Sequence, residues 1–109
     1  MLTPTENFKR KAPVYMGRLM RDFGLTRLDA AAVFGNLGHE SYGLTVLQEK
    51  SPAVKGSRGG YGWAQWTGPR RRQYENWCKA NGLDPASDEA NYGFLAFELK
   101  GPERAALRS

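Results

Sequence analysis

The stretch Leu28-Asp29-Ala30-Ala31-Ala32-Val33-Phe34-Gly35-Asn36-Leu37-Gly38-His39-Glu40 decides how this chain is organised. Thr26, with Asp29 three residues on, has the form of a helix N-cap, so a helix is expected to open there. No residue from Ala30 to Gly38 is charged, so little of that helix has reason to face water. Alanine and glycine on several sides let neighbouring backbones approach closely. The reading is a buried central helix that ends at Glu40, where fixed charge reappears.

Upstream, Thr3 and Glu6 have capping-box spacing and Pro4 suits a first helical position. Pro13 would clash with the preceding turn, so a break or restart is expected near Ala12. Tyr15, Leu19, Met20 and Phe23 then recur at helical spacing, and Gly24 supplies a stop. Downstream, residues 41 to 69 are dense in glycine and proline, which marks turns. Tyr61, Trp63 and Trp66 are expected there on a short hairpin or an irregular two- or three-stranded ribbon. Pro69 begins another helix carrying Tyr74, Trp77 and Cys78, closed at Asn81-Gly82. Asp84-Pro85 is expected to open the last full helix, with Tyr92, Leu95 and Leu99 on one face and Phe94 and Phe97 beside it. Gly101-Pro102 stops it. The signal at Ala105-Ala106-Leu107 reads as the start of a further helix, so a single domain over residues 1–109 is expected to be incomplete at its C-terminus.

The whole chain has 109 residues and a net charge of +5. That length fits one small domain. A 40% hydrophobic and 25% charged composition is ordinary for a folded chain and excludes the disordered class. The positive excess favours anionic partners without choosing among them. A lone cysteine, Cys78, rules out an intrachain disulfide and is expected to be packed. One histidine and one cysteine make a zinc site improbable, and neither a metal nor another cofactor is expected. The N-terminus lacks a basic segment followed by an apolar run, so synthesis in a cytoplasm without a signal peptide is expected. No stretch is long and apolar enough for membrane insertion.

Glu40 is the residue on which chemistry can be built. Cleaving a glycosidic bond requires a proton on the leaving oxygen while positive charge develops on the sugar ring. The donor must keep that proton near neutral pH. A helix C-terminus disfavours a second negative charge beside it, but by only about 0.3–1 kcal/mol. Burial against aromatic walls would add to this, because desolvation penalises the charged form. Tyr42, Tyr61, Trp63 and Trp66 are the available walls. The competing readings are that Glu40 is a solvated helix end and that the tryptophans are ordinary core.

The run Gly35-Asn36-Leu37-Gly38-His39-Glu40-Ser41, followed by Gly60-Tyr61-Gly62-Trp63-Ala64-Gln65-Trp66-Thr67-Gly68-Pro69-Arg70-Arg71, resembles the phage tail lysozyme family. The Glu-Ser pair and the later Gly-x-x-Gln are also similar to blocks of lytic transglycosylases and goose-type lysozymes. The resemblance runs from about Leu25 to Leu99. It implies a mainly α, α+β lysozyme-like fold, with a small lobe of turns and short strands flanking a glycan cleft. It also implies Glu40 as the catalytic acid, Ser41 as a cleft hydroxyl and Gln65 as a substrate-contacting amide. Trp63, Trp66 and Tyr61 could supply the apolar surfaces that sugar rings require.

A second carboxylate has one candidate before Gln65, namely Glu49, which reads equally well as a solvated loop charge beside Lys50. Retaining and inverting hydrolases use such a partner. Lytic transglycosylases manage with one glutamate and leave a 1,6-anhydro-muramic end. His39 points about 100° away from Glu40 on a helix and reads as a packing or rim residue. Arg70-Arg71-Arg72 reads as a solvated face, with anionic wall polymer as the alternative partner. The expected function is therefore a muramidase that cuts peptidoglycan strands as part of a phage or prophage tail, alongside other tail proteins. The alternatives are a lytic transglycosylase and a non-catalytic wall-binding module. Nucleic acid ranks low, because the basic residues are scattered and no recognition motif is present.

Overall fold

The computed structural model describes residues 2–45, 48 and 58–101. Among these, four helices follow one another: α1 (Pro4–Phe23), α2 (Arg27–Glu40), α3 (Gly68–Asn81) and α4 (Asp88–Lys100). The molecule is mainly helical. The turn-rich middle contributes two isolated antiparallel bridges to the described residues, Gln48 with Tyr61 and Tyr61 with Trp66.

Local chemistry sets most helix ends. The Thr3 hydroxyl accepts the Glu6 N–H at 3.1 Å and the Glu6 carboxylate accepts the Thr3 N–H at 3.3 Å, which closes the capping box. The Thr26 hydroxyl accepts the Asp29 N–H at 3.1 Å at the head of α2. Gly24 and Gly82 take left-handed conformations at the ends of α1 and α3.

Two expectations about boundaries fail. Helix α1 runs unbroken through Pro13. A proline inside a helix costs about 3 kcal/mol. Pro13 is exposed, so the carbonyl it leaves without an N–H lies on the side open to water, while Ala12 and Leu19 are buried on the other. Helix α4 begins at Asp88 rather than at Asp84-Pro85. Asp84 and Pro85 form a turn in which the Asp84 carboxylate accepts the Ala86 N–H at 2.9 Å, and Ser87 is the true cap.

The central helix is α4, not α2. Helix α2 buries Ala30, Phe34, Leu37 and Gly38, but Leu28 is 80% exposed and Ala31, Ala32, Gly35 and Asn36 face outward. Alanine and glycine carry little apolar surface, so leaving them in water costs little. The absence of charge therefore did not imply burial. Helix α4 buries six residues and serves two cores at once. Tyr92, Leu95 and Leu99 join Leu19, Phe34, Leu37, Leu44 and Trp63 in the first. Ala90 and Phe94 join Trp66, Tyr74 and Cys78 in the second.

Candidate active site

Glu40 is the last residue of α2, and its side chain is exposed. The chain then turns sharply. Tyr42, Gly43 and Leu44 take φ of 51°, 70° and 66°, three successive left-handed residues. For Tyr42 and Leu44 that conformation costs roughly 1–2 kcal/mol each. It persists because the turn is clamped from below. The Asn7 amide of α1 donates to the Gly43 carbonyl at 2.7 Å in a buried contact. A Cβ on Gly43 would stand 2.1 Å from the Pro4 carbonyl oxygen, so only glycine fits. The result fastens the end of α2 to α1 and leaves Tyr42, two residues after Glu40, 66% exposed.

Ser41, which the resemblance implies as a cleft hydroxyl, is fully buried. Its hydroxyl donates to the Leu37 carbonyl at 2.6 Å and accepts the Leu44 N–H at 3.1 Å. Both bonds fasten the turn.

The second block forms a tight turn from Tyr61 to Trp66. The Tyr61 N–H donates to the Trp66 carbonyl at 3.0 Å and the Trp66 N–H returns the bond at 2.9 Å. Gly62, at φ 85°, faces the Trp66 ring and the Asn91 amide oxygen so closely that a Cβ would stand 2.7–2.8 Å from both. The two indoles expected as cleft walls are core instead. Trp63 is 0% exposed and makes edge contacts with Tyr15 at 5.0 Å and Phe34 at 5.9 Å. Trp66 is 1% exposed, stacks on Tyr74 at 4.6 Å and donates its indole N–H to Glu98 at 2.7 Å. Neither offers a ring face to a sugar. Tyr61 is half-buried beneath the Arg71 guanidinium, 5.0 Å from its ring centre, and burial pushes its phenol pKa up. Gln65 is half-buried at φ 51°, with its amide donating to the Gly62 carbonyl at 2.8 Å.

Through the contact of Trp63 with Phe34, this turn abuts the same helix that ends on Glu40. Glu40 lies six positions beyond Phe34, about 9 Å along the axis. Glu49 lies outside the described residues.

A family model described as phage tail lysozyme matches residues 11–109. The chain belongs to the phage tail lysozyme family. No curated protein and no solved structure matches it. Membership points to a peptidoglycan-lytic, lysozyme-like function with the bacterial wall as substrate, and fits a phage tail component. No helix among the described residues is long and apolar enough to cross a membrane.

Several residues that hold the lysozyme block in place were not singled out by the sequence. Asn91 is the chief one. Fully buried on α4, its amide oxygen accepts the Trp63 backbone N–H at 2.8 Å, and its nitrogen donates to the Ser87 and Pro85 carbonyls at 2.8 and 3.3 Å. One signal was available: an asparagine between Ala90 and Tyr92, four residues before Leu95, sits on the apolar stripe of its helix. Arg71 is buried rather than solvated and donates to the Arg58 and Gly59 carbonyls at 3.0 and 3.1 Å. Arg70 clasps Glu98 with two bonds of 2.9 and 2.7 Å, whereas Arg72 is exposed. Cys78 is packed in the second core, and burial pushes its thiol pKa up.

Proposed function

We propose that the chain is a muramidase in which Glu40 protonates the leaving oxygen between muramic acid and glucosamine. One observation carries this reading. The chain belongs to the phage tail lysozyme family, and the carboxyl that the resemblance makes the acid ends a clamped helix, exposed rather than buried against aromatic walls as expected. The charge at that point is accessible to a polymer too large to enter a closed cavity. A glycan strand laid across it strips water from the carboxyl, and desolvation favours the protonated acid. The hydrogen-bonded turn from Ser41 to Thr45 positions the acid's backbone before substrate arrives, which lowers the entropy cost of reaching a reactive geometry.

Replacing Glu40 with Gln keeps the shape and removes the ionisable donor. Turbidity clearing of purified sacculi is expected to fall by at least about 100-fold, the scale of a lost general acid. Pull-down on sacculi is expected to persist. Full clearing by Glu40→Gln would end the proposal. Mass spectrometry of the released muropeptides reads the rest of the chemistry. Reducing ends mark hydrolysis, whereas 1,6-anhydro ends mark intramolecular attack by the muramic 6-hydroxyl and overturn the hydrolytic form.

A further inference from the structure

Beside Glu40, on the other flank of α2, a groove of about 750 Å³ opens between this helix end and the first turns of α1. Phe8, Gly38 and Gly43 form its floor, half-buried or buried, and the exposed Lys9, His39 and Tyr42 form its rim. Among the described residues of its lining there is no carboxylate. The Glu6 carboxylate occupies the first turn of α1, so the positive charge at the rim is that of Lys9. Tyr42 belongs to the left-handed turn that Asn7 clamps, so this rim is built before any ligand arrives.

We infer that this groove is a specificity subsite for the peptide borne by muramic acid. The inference rests on the proposed cleavage at Glu40. Side chains of residues 39 and 40 diverge by about 100° at one level of the helix. A strand with its cleavable bond at Glu40 therefore has the groove to one side, about one helix width away. The substituent that leaves a peptidoglycan strand sideways is the lactyl group with its stem peptide. That peptide carries small methyl side chains and free carboxylates. The methyl groups suit a floor of phenyl ring and glycine, and the carboxylates suit a rim with Lys9 and without acids. A peptide-free glycan keeps only the short lactyl carboxylate beside its hydroxyl and acetamido groups, and lacks the methyl side chains and outer carboxylates that would extend into the groove. The net charge of +5 draws in the same anionic polymer.

Two variants test the groove without entering the core. Lys9→Glu reverses an exposed charge. Gly35→Leu fills the groove from a helical position where an added Cβ meets nothing within 4 Å. The probes are the disaccharide GlcNAc-MurNAc-tetrapeptide and its peptide-free counterpart. Neither contains the muramyl-to-glucosaminyl bond, so binding is read without turnover. The wild-type chain is expected to bind the peptide-bearing probe about tenfold tighter, the scale of one charge-assisted contact. Amide resonances of residues 38–43 are expected to shift on binding, and both variants are expected to abolish the preference. On intact sacculi Lys9→Glu is expected to lower kcat/KM about tenfold with a fall in kcat, while on amidase-stripped glycan strands its kinetics match wild type. Equal affinity for the two probes overturns the inference, as does equal loss on both polymers. So does a concentration-dependent dimer that either variant dissolves, since the groove would then seat a second copy. Failure of Glu40→Gln to stop lysis leaves the titration standing, so the two ideas fail separately.

Discussion

Asn91 is the residue whose replacement should report most directly on how the lysozyme block is held. Its amide oxygen is the partner of the Trp63 backbone N–H, in a site with no exposure at all. The two carbonyls on its nitrogen side have other donors, since the Ser87 carbonyl also accepts the Asn91 N–H and the Pro85 carbonyl also accepts the Tyr74 hydroxyl. Asn91→Ala therefore orphans chiefly the Trp63 N–H. That costs about 1–3 kcal/mol, with a further contribution from the cavity. Asn91→Asp is more telling. As a neutral acid it still accepts from Trp63 and donates to Ser87, so at low pH the variant should lie within about 1 kcal/mol of wild type. Ionised, it places a buried carboxylate against carbonyl oxygens, which raises its pKa in the folded state above its unfolded value. The folded chain then binds more protons than the unfolded one, so stability falls as pH rises through the unfolded value, about 3.9. The loss at pH 7 is limited to about 4 kcal/mol, because beyond that the chain folds with its proton retained. Against a total stability of roughly 5–15 kcal/mol this is readily measured. Urea midpoints of wild type and both variants from pH 4 to pH 8 decide the matter. A gap between Asn91→Asp and wild type that stays flat with pH would refute the argument.

Ser41→Ala should lower stability by about 1–2 kcal/mol through the lost Leu37 and Leu44 bonds, while sacculus binding per folded molecule is unchanged. Lost binding at unchanged melting temperature would return the hydroxyl to a cleft. Gly62→Ala forces a Cβ against Trp66 and Asn91 at a left-handed φ and should cost more than about 1 kcal/mol by thermal melting; a neutral outcome would mean the turn relaxes freely. Hydrogen bonding to Arg58 holds the Glu75 pKa below its ordinary 4.5. The stability it lends is present above that value and is lost as pH falls from there through the folded value. Glu75→Gln should flatten that acid limb of the stability curve, and an unchanged limb would assign it to other carboxylates.

The parts of this fold that were legible are those governed by residues adjacent in sequence. Thr3 with Glu6, Thr26 with Asp29, Gly24 and Gly82 set helix ends by bonds that span three or four positions. The illegible parts need partners from afar. Pro13 is tolerated because of which side of α1 is open, and a local clash rule does not contain that fact. Helix α2 looked central because it lacks charge, yet Ala31, Ala32 and Gly35 gain little by burial. Helix α4 contains Asn91 and Glu98, which a polarity reading places outside, and both face inward to bond the Trp63 backbone and the Trp66 indole. At the site, the end of α2 and the turn at Tyr61 to Trp66 were both visible as motifs. The direction of the indoles was not, because Trp63 and Trp66 leave one short turn for two different cores.

That divergence bears on what the second block contributes to the proposed chemistry. A hairpin this short does not hold itself together in water. Here it is pinned by one tryptophan in each core, by Asn91 from α4 and by Arg71 on the approaching carbonyls of Arg58 and Gly59. The ring faces of its tryptophans are spent inside the protein, and in the proposed reaction they serve by holding the turn that carries Gln65. The exposed carboxyl of Glu40 then has no indole walls of its own to exclude water. In the proposed reaction the glycan supplies that exclusion as it lies down, and the energy for it has to come from contacts remote from the bond being broken. An anchored stem peptide in the adjoining groove is a source of such contacts. The same physical need thus links an accessible acid, a turn whose rings face inward and a groove with a basic rim.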